Sequence, residues 1–161
     1  MPAHKLLIDN LVEDNYHLIA IHSGTADYTT AFLLNKYLNT QLSRTDFDLD
    51  FKYKSVKAAY VLYKFYDEEN MTTFYLVNNK FKGVNLNNTN EGSLFQMDWD
   101  SITTHLLPEH KKVDYFLKIE DSNNDEEVDE LLFKIKKIPQ ITTAYMIAIE
   151  KIKNQENLIF E

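Results

Sequence analysis

The stretch that decides the fold is "KKIPQITTAYMIAI", residues Lys136 to Ile149. Before it, charged and apolar residues recur at helical spacing, and after Pro139 the sequence is almost uncharged. Proline cannot continue a helix, and it disfavours helical backbone at the residue before it. The pattern predicts a helix that ends near Lys137, followed by a buried strand over residues 141–150.

The residues before this joint complete a strand–helix–strand unit. In "KKVDYFLKIED" apolar and charged residues alternate, which predicts a strand over residues 112–119. "SNNDEEVDELLFKIKKI" starts with cap candidates at 122–124, continues with acids and ends with lysines, which is typical of a helix over 125–137. Its predicted core-facing stripe consists of Val128, Leu131, Leu132, Ile135 and Ile138.

The first half of the chain predicts a strand and a second helix. "YHLIAIHS", residues 16–23, is apolar on both parities over most of its length, as in a buried strand. "ADYTTAFLLNKYLNTQL" then predicts a helix at about 26–41, capped by Ser23 or Thr25. Its predicted inward stripe comprises Tyr28, Ala31, Phe32, Asn35 and Leu38, widened by Leu34, Tyr37 and Leu42.

The middle of the chain predicts a hairpin and a solvated loop. Residues 56–66, "VKAAYVLYKFY", form the first strand, and "MTTFYLVNN" returns after the turn "DEEN". Residues 44–55 are polar and irregular, residues 85–92 are loop by composition, and residues 93–99 predict a short strand.

Together these elements predict one α+β domain over residues 1–161. We expect a mainly antiparallel sheet of five or six strands with two helices on one face, including the C-terminal strand–helix–strand unit. Because strand 56–66 is apolar on both parities, its second face needs cover from residues 43–55, residues 85–110 or another chain. The candidate interface residues are Ala59, Val61, Tyr63 and Phe65.

Composition and charge exclude several classes of function. Hydrophobic residues make up 44% of the 161 residues, as in globular proteins. The net charge of −8, with Arg44 as the single arginine, makes nucleic-acid binding through a basic surface unexpected. With no cysteine, disulfides and thiolate chemistry are absent. The N-terminus is unlike a signal peptide and no apolar run reaches membrane-spanning length, so we expect a cytoplasmic protein that does not enter a membrane.

The histidines predict neither a metal site nor a cofactor. His17 and His22 lie five apart on one predicted strand, so they point to opposite faces and cannot chelate together. His105 and His110 flank Pro108 in an irregular segment, which leaves their geometry open.

No catalytic motif is present. Ser23 and Ser101 both lack the nucleophile-elbow pattern, so a non-enzymatic protein is favoured. A third hypothesis, beside the two binding hypotheses given below, is an enzyme whose histidines and carboxylates come together only on folding.

The segment "HSGTADY" is the best candidate for a small-molecule site. Ser23, Gly24 and Thr25 lead from a strand into a helix N-terminus, where free backbone N–H groups can hold an anion. An ordinary strand-to-helix turn explains the same residues, and we favour it because one glycine is far short of a phosphate-loop pattern.

The closing "ENLIF", Glu156 to Phe160, places apolar residues after a charged stretch. It either docks back on the core, which we favour, or serves as a short partner-binding strand.

The stretch "IPQITTAY" resembles the naming motif of the IPExxxDY family, small bacterial proteins of unknown function. Ile138, Pro139 and Tyr145 match that motif, whereas Gln140 stands in place of its Glu and Ala144 in place of its Asp. The likeness extends through "LIAIHS", "DYTTAFLLNKYL", "LSRTDFDLDF" and "NLIF". The resemblance implies no reaction.

The missing acids favour a structural role for the motif. In a strand, positions 140 and 144 share a face about 13 Å apart, beyond the separation of paired catalytic carboxylates. We therefore expect Pro139 to end the helix and Tyr145 to pack or hydrogen-bond on the strand.

The leading hypothesis is a non-enzymatic cytoplasmic protein-interaction or adaptor module. Its partner is another protein or a second copy, bound on the second sheet face or an edge strand. The alternative is a small-molecule-sensing regulatory domain with an anion site at the helix N-terminus near Gly24.

Overall fold

The computed structural model describes residues 15–54, 56–84, 101–122 and 124–160. The predictions for residues 85–92 and 93–99 lie outside these ranges. The helices are α1 (Asp27–Leu38) and α2 (Asp125–Lys136). The strands are β1 (Tyr16–Ser23), β2 (Ser43–Arg44), β3 (Leu49–Lys52), β4 (Lys57–Tyr60), β5 (Leu62–Asp67), β6 (Thr72–Asn78), β7 (Lys80–Val84), β8 (Ser101–His105), β9 (Tyr115–Glu120) and β10 (Ile141–Ile147). Short 3₁₀ turns cover Pro108–His110, Ile149–Lys151 and Gln155–Leu158.

The main sheet has six strands in the order β10-β1-β9-β6-β5-β2, with every neighbouring pair antiparallel. The predicted α+β class and sheet size are confirmed. Strands β9 and β10 both run antiparallel to β1, which lies between them, so they are parallel to each other. Helix α2 therefore connects two strands across an intervening third strand.

The joint at Pro139 forms as predicted. Asn124 caps α2 by accepting a hydrogen bond from the Glu126 amide, and the helix ends at Lys136. Ile138 is 1% exposed, and its carbonyl accepts a 3.1 Å hydrogen bond from the Ile141 amide at the start of β10. Proline has no amide and cannot extend the helix, so the chain turns directly into the sheet.

Both helices cover the same face of the sheet, as predicted. Alternate residues of β1 and β9, including Ile19, Ile21 and Leu117, form one core with Leu34 of α1 and Ile135 of α2. Strand periodicity places these side chains on one face, and the two helices bury them.

The second sheet face is covered by the chain itself. Leu18 and Phe116 on this face pack in one cluster with Tyr60 of β4, Leu107 and Phe160. The pairs β3–β4 and β7–β8, the segment 106–113 and the residues after β10 together supply this layer.

The prediction of one strand over residues 56–66 is wrong. The chain breaks at Val61, so that β4 pairs with β3 in the covering layer whereas β5 pairs with β6 in the main sheet. A segment that is apolar on both parities fits two layers as well as it fits one central strand, and periodicity cannot separate these cases.

The segment 156–160 docks on the core, as favoured. Phe160 is 7% exposed and packs edge-on against Tyr75, with ring centroids 5.2 Å apart. The Leu158 carbonyl accepts a 2.8 Å hydrogen bond from Nζ of Lys118, a lysine that is only 5% exposed. Lys118 also pairs with Glu120, and its Nζ lies 4.6 Å from the centroid of the Tyr16 ring. The covering layer thus provides partners for the buried charge of Lys118 and also covers apolar surface of the sheet.

Asn79 fastens the segment 106–113 to the sheet. Its side chain is fully buried, with Nδ2 donating to the carbonyls of His110 (2.8 Å) and Val113 (2.9 Å). Its Oδ1 accepts from the Leu107 amide at 2.9 Å. A loop without a ladder of its own needs such a partner for its buried backbone groups.

We expect Asn79→Ala to lower the free energy of unfolding by about 3 kcal/mol, because it leaves the Val113 carbonyl and the Leu107 amide buried and unpaired at roughly 1–3 kcal/mol each. The His110 carbonyl keeps a second hydrogen bond, from the Val113 amide. Urea denaturation followed by circular dichroism measures the change. Asn78→Ala is the matched control: Asn78 Oδ1 is buried without a partner in the described part of the chain, so its removal should cost less than ~1 kcal/mol. Equal losses in the two variants would contradict the role assigned to Asn79.

Candidate functional site

The predicted small-molecule residues form a closed, hydrogen-bonded turn. Ser23 is 5% exposed, and its amide donates to Asp114 Oδ2 at 2.9 Å. Asp114 in turn accepts from Lys80 Nζ at 2.7 Å. The Asp114 carboxylate therefore already holds the Ser23 amide that an anion near Gly24 would need. The anion site stays a prediction, and this contact argues against it.

Helix α1 starts without the predicted side-chain cap. Its N-cap is Ala26, so the expectation that Ser23 or Thr25 caps the helix is wrong. Instead Thr30 Oγ1 donates to the Ala26 carbonyl at 3.0 Å, and the Tyr115 hydroxyl donates to the Thr25 carbonyl at 2.5 Å. A tyrosine from the sheet thus fixes the backbone just before the helix, which is a contact that sequence spacing does not reveal.

A second tyrosine fixes the first turn of α1. Tyr63 Oη donates to Asp27 Oδ2 at 2.8 Å. Burial, followed by the adjacent Asp27 carboxylate, raises the pKa of Tyr63 to about 12, and burial also raises the pKa of Tyr115. Both phenols therefore stay protonated at neutral pH and act as donors. They anchor α1 and are poor candidates for a general base.

The other end of α1 is fixed by Asn35. Its Nδ2 donates to the Leu42 carbonyl at 3.0 Å, and its Oδ1 accepts from the Leu42 amide at 2.7 Å and from Thr40 Oγ1 at 2.9 Å. Asn39 ends the helix in the left-handed conformation with φ 56°. Side chains thus hold α1 at both ends.

The outer face of α1 carries two exposed aromatic rings. Tyr28 is 69% exposed and Phe32, one turn later, is 64% exposed; we call these two residues the α1 aromatic pair. Their predicted inward orientation is wrong. At about 100° per residue, Phe32 lies roughly 160° around the helix from Leu34, which is fully buried. The predicted stripe covered more than half the helix circumference, and only the arc around Leu34 could face the sheet.

The α1 aromatic pair leaves apolar surface uncovered. Full burial of one such ring contributes ~1.5–3 kcal/mol. Most of this free energy is not gained at either position, because both rings remain largely exposed. Aromatic residues are enriched in the cores of protein interfaces. Phe133 of α2 is also exposed, but unlike the α1 aromatic pair its ring already has a cation partner within the chain. Lys137 Nζ lies 4.1 Å from the ring centroid.

The four predicted interface residues do not form an open surface. Tyr63 is 7% exposed, and Val61 and Phe65 pack against the helix-covered core. Ala59 lies on β4, opposite Asp50 of β3 in the covering layer. Because the chain supplies its own second layer, the structure gives no support to an interface at these residues.

The motif residues divide between the turn, the core and the surface. Gln140 precedes β10, and its carbonyl accepts from Ser23 Oγ at 3.1 Å. A bulge shifts the pairing between His22–Thr143 and Ser23–Ile141, so the expectation that positions 140 and 144 share a face of one strand is wrong. Ala144 is 1% exposed in the helix-side core, where an aspartate would be buried.

Tyr145 makes the hydrogen bond predicted for it. Its hydroxyl lies 3.1 Å from His22 Nε2, at a partly exposed position on the sheet. Pro139 thus follows the end of α2 and Tyr145 hydrogen-bonds on the sheet, and a structural role for the motif stays a prediction.

The histidines are dispersed. His17 Nε2 lies 3.4 Å from Asp125 Oδ1, on the face opposite to His22, as predicted. Burial, with Lys80 and Lys111 nearby, lowers the pKa of His105. Within the described ranges, no three His, Asp or Glu side chains are placed to hold a metal ion.

Comparisons with protein-family models, curated proteins and solved structures find no match to this chain. The resemblance to the IPExxxDY family stays a prediction. Among the residues that the structure describes, no helix is long and apolar enough to cross a membrane.

We expect Tyr63→Phe to flatten the alkaline loss of stability. The folded pKa of about 12 lies above the ordinary value of 10.0, so the folded state keeps a proton that the unfolded state loses. The stabilisation is complete below pH 10 and declines as the pH rises towards 12. Urea denaturation at a series of pH values through this window measures the slope.

Tyr66→Phe is the control for this series. Tyr66 is 51% exposed and its hydroxyl forms no hydrogen bond with the residues described here, so the wild-type slope should persist. Loss of the Asp27 hydrogen bond in Tyr63→Phe should also cost about 1 kcal/mol near neutral pH. A Tyr63→Phe protein with the wild-type alkaline slope would contradict the proposed Asp27–Tyr63 anchor.

Proposed function

We propose that this chain is a non-enzymatic protein-interaction module of the cytoplasm that binds a partner through the α1 aromatic pair. The observation that carries the proposal is the exposure of Tyr28 and Phe32, one turn apart on a helix whose other side is buried. Two adjacent rings leave an apolar surface that a partner can cover.

The anchoring of α1 supports this proposal. Tyr63 and Tyr115 hold its first residues, and Asn35 holds its last turn. A surface fixed before binding loses little conformational freedom when a partner docks. The pair is therefore a preformed surface that needs no folding step.

The charge of the chain indicates the chemistry of the partner. With a net charge of −8, a second copy would be repelled, whereas a basic protein would be attracted and steered to the surface. We infer a partner with an apolar groove for the two rings and lysine or arginine residues around it. This choice favours a different protein over a homodimer.

The polar groups beneath α1 support a role other than catalysis. Asp27 is hydrogen-bonded to Tyr63, and Asp114 is shared between the Ser23 amide and Lys80. These carboxylates are committed to contacts that hold the fold.

The test uses affinity capture from the native cell, read by mass spectrometry, and then a purified partner. Three forms of the full chain serve as bait: wild type, the double variant Tyr28→Ala/Phe32→Ala, and Tyr66→Ala. The last is the control, because Tyr66 is an exposed aromatic residue that lies on β5 and not on α1. We expect a basic protein to bind the wild type and Tyr66→Ala equally. The double variant should lose ~2 kcal/mol or more for each ring, because rings of this kind act as hot spots.

Isothermal titration of each purified bait with the purified partner measures the dissociation constants. The free energy of unfolding of each bait checks its fold. Affinity should fall as salt is raised, because the steering is electrostatic. Equal affinity of the double variant and the wild type would overturn the proposed surface. Sedimentation showing a dimer that the double variant abolishes would replace the basic partner by a second copy.

A further inference from the structure

Strand β10 forms one edge of the main sheet, and among the residues that the structure describes it pairs with β1 alone. The opposite edge of the sheet ends on β2, which is two residues long and carries Arg44 in an ion pair with Asp48. Short length and charge both keep an edge strand from pairing with another chain. Strand β10 has neither protection, because it spans Ile141–Ile147 and residues 140–149 contain no charged residue and no proline.

The hydrogen-bond pattern of the sheet determines which backbone groups of β10 point outward. The Asp121 amide donates to the Asn15 carbonyl at 3.2 Å, and in this phase the odd-numbered residues of β1 bond to β9. The even-numbered residues of β1 therefore bond to β10. Ile21 lies opposite Ala144, so the N–H and C=O groups of Ala144, and of Met146 two residues later, point away from β1.

The open edge of β10 is complementary to itself. Ala144 is the middle residue of the strand, and a two-fold axis at this residue pairs β10 with β10 of a second copy over its full length. The two Ala144 residues then form a hydrogen-bonded pair. Thr143 lies opposite Tyr145 of the second copy, and both side chains are exposed and uncharged. Pairs of a β-branched and an aromatic residue stabilise neighbouring strands.

Helix α2 lies above this edge. Tyr63 of β5 and Tyr115 of β9 hold α1, whereas α2 contacts β10, so the side of α2 that faces away from α1 is next to the open edge. Lys134 lies on the α1 side, where it lines a depression together with the end of α1. At about 100° per residue, Asp129 and Lys136 lie on the other side of the helix.

The charges of α2 are segregated along its length. Its first half carries Asp125, Glu126, Glu127, Asp129 and Glu130, and its end carries Lys134, Lys136 and Lys137. The two-fold axis makes the two α2 helices antiparallel, so the acidic half of each lies beside the lysines of the other. A helix about 10–12 Å wide covers about two strands spaced about 4.8 Å apart, which makes the two helices neighbours across the joined edges.

We propose that the open edge of β10 binds a second copy of this chain and joins the two six-stranded sheets into one. The net charge of −8 opposes this association at a distance. The paired strands add no charge to the contact, and the two α2 helices attract each other through their opposite ends. A strand of an unrelated protein would gain the backbone hydrogen bonds without the pairing of α2 helices, so charge complementarity favours the second copy.

The first test measures self-association of the full chain by sedimentation velocity over a series of concentrations. Thr143→Lys/Tyr145→Lys places like charges opposite each other at two points of the strand pair, and we expect the dissociation constant to rise about tenfold or more. Ser101→Lys/Thr103→Lys is the matched control, because it adds the same charge at two exposed positions of β8. Urea denaturation checks the fold of each variant. Equal weakening by the two variants would overturn the proposal.

Charge reversal tests the pairing of the α2 helices. Lys136→Glu should raise the dissociation constant about tenfold, because the symmetry breaks two ion pairs at once. Lys134→Glu makes the same change on the α1 side of the helix and should leave the dimer unchanged. Asp129→Lys/Lys136→Glu should restore association. Equal effects of Lys134→Glu and Lys136→Glu, or no recovery in the double variant, would contradict the arrangement.

Disulfide cross-linking tests the register, since the chain has no cysteine of its own. We expect a mixture of Thr143→Cys and Tyr145→Cys proteins to form a cross-link between the two variants, because these positions lie opposite each other. Neither variant should cross-link alone, since its two cysteines are offset along the strands by more than the ~7 Å that a disulfide spans. A cross-link in either variant alone would overturn the axis at Ala144.

This inference goes beyond the proposed interaction module and does not depend on it. Tyr28→Ala/Phe32→Ala should leave the dimer intact, because α1 lies on the other side of α2 from the open edge. A dimer that this variant abolishes would place the contact on α1 and reject the edge. A chain that stays monomeric at every concentration would also end the proposal, and it would leave the α1 aromatic pair available to a different protein.

Discussion

Strand β1 is hydrogen-bonded on both edges and buried on both faces. Its neighbours β9 and β10 belong to the last third of the chain, and α2 must pass over the sheet to join them. A strand in this position needs a helix layer on one side and a second cover on the other. The division of the chain at Val61, the segment held by Asn79 and the docked Phe160 all meet that second requirement.

The main sheet also determines the position of α1 and therefore which of its residues are exposed. Tyr63 of β5 and Tyr115 of β9 extend from the sheet to the residues at the start of α1, so the helix is positioned by strands and not by a local cap. With its inner arc committed to the core, α1 can only present Tyr28 and Phe32 outward. The candidate surface therefore depends on one helix and its anchors.

Much of the fold could be predicted because its signals are local. Proline chemistry, the acidic start of α2 and the alternation in β9 identify elements from neighbouring residues alone. The candidate site could not be predicted in this way. Whether Phe32 points inward depends on which arc of α1 meets the sheet, and the role of Asn79 depends on carbonyls about thirty residues away in the chain. The bulge opposite Ser23 shifts register by one residue, which no periodicity records.

The central place of β1 has a consequence during synthesis. Its neighbours leave the ribosome only after most of the chain has been made, and at roughly 5–20 residues per second the delay is on the order of 10 s. During that interval β1 is an apolar segment whose two edges have no strand partner. Pairing between segments so far apart in the chain slows folding and leaves the nascent polypeptide exposed to aggregation until β9 and β10 have been made.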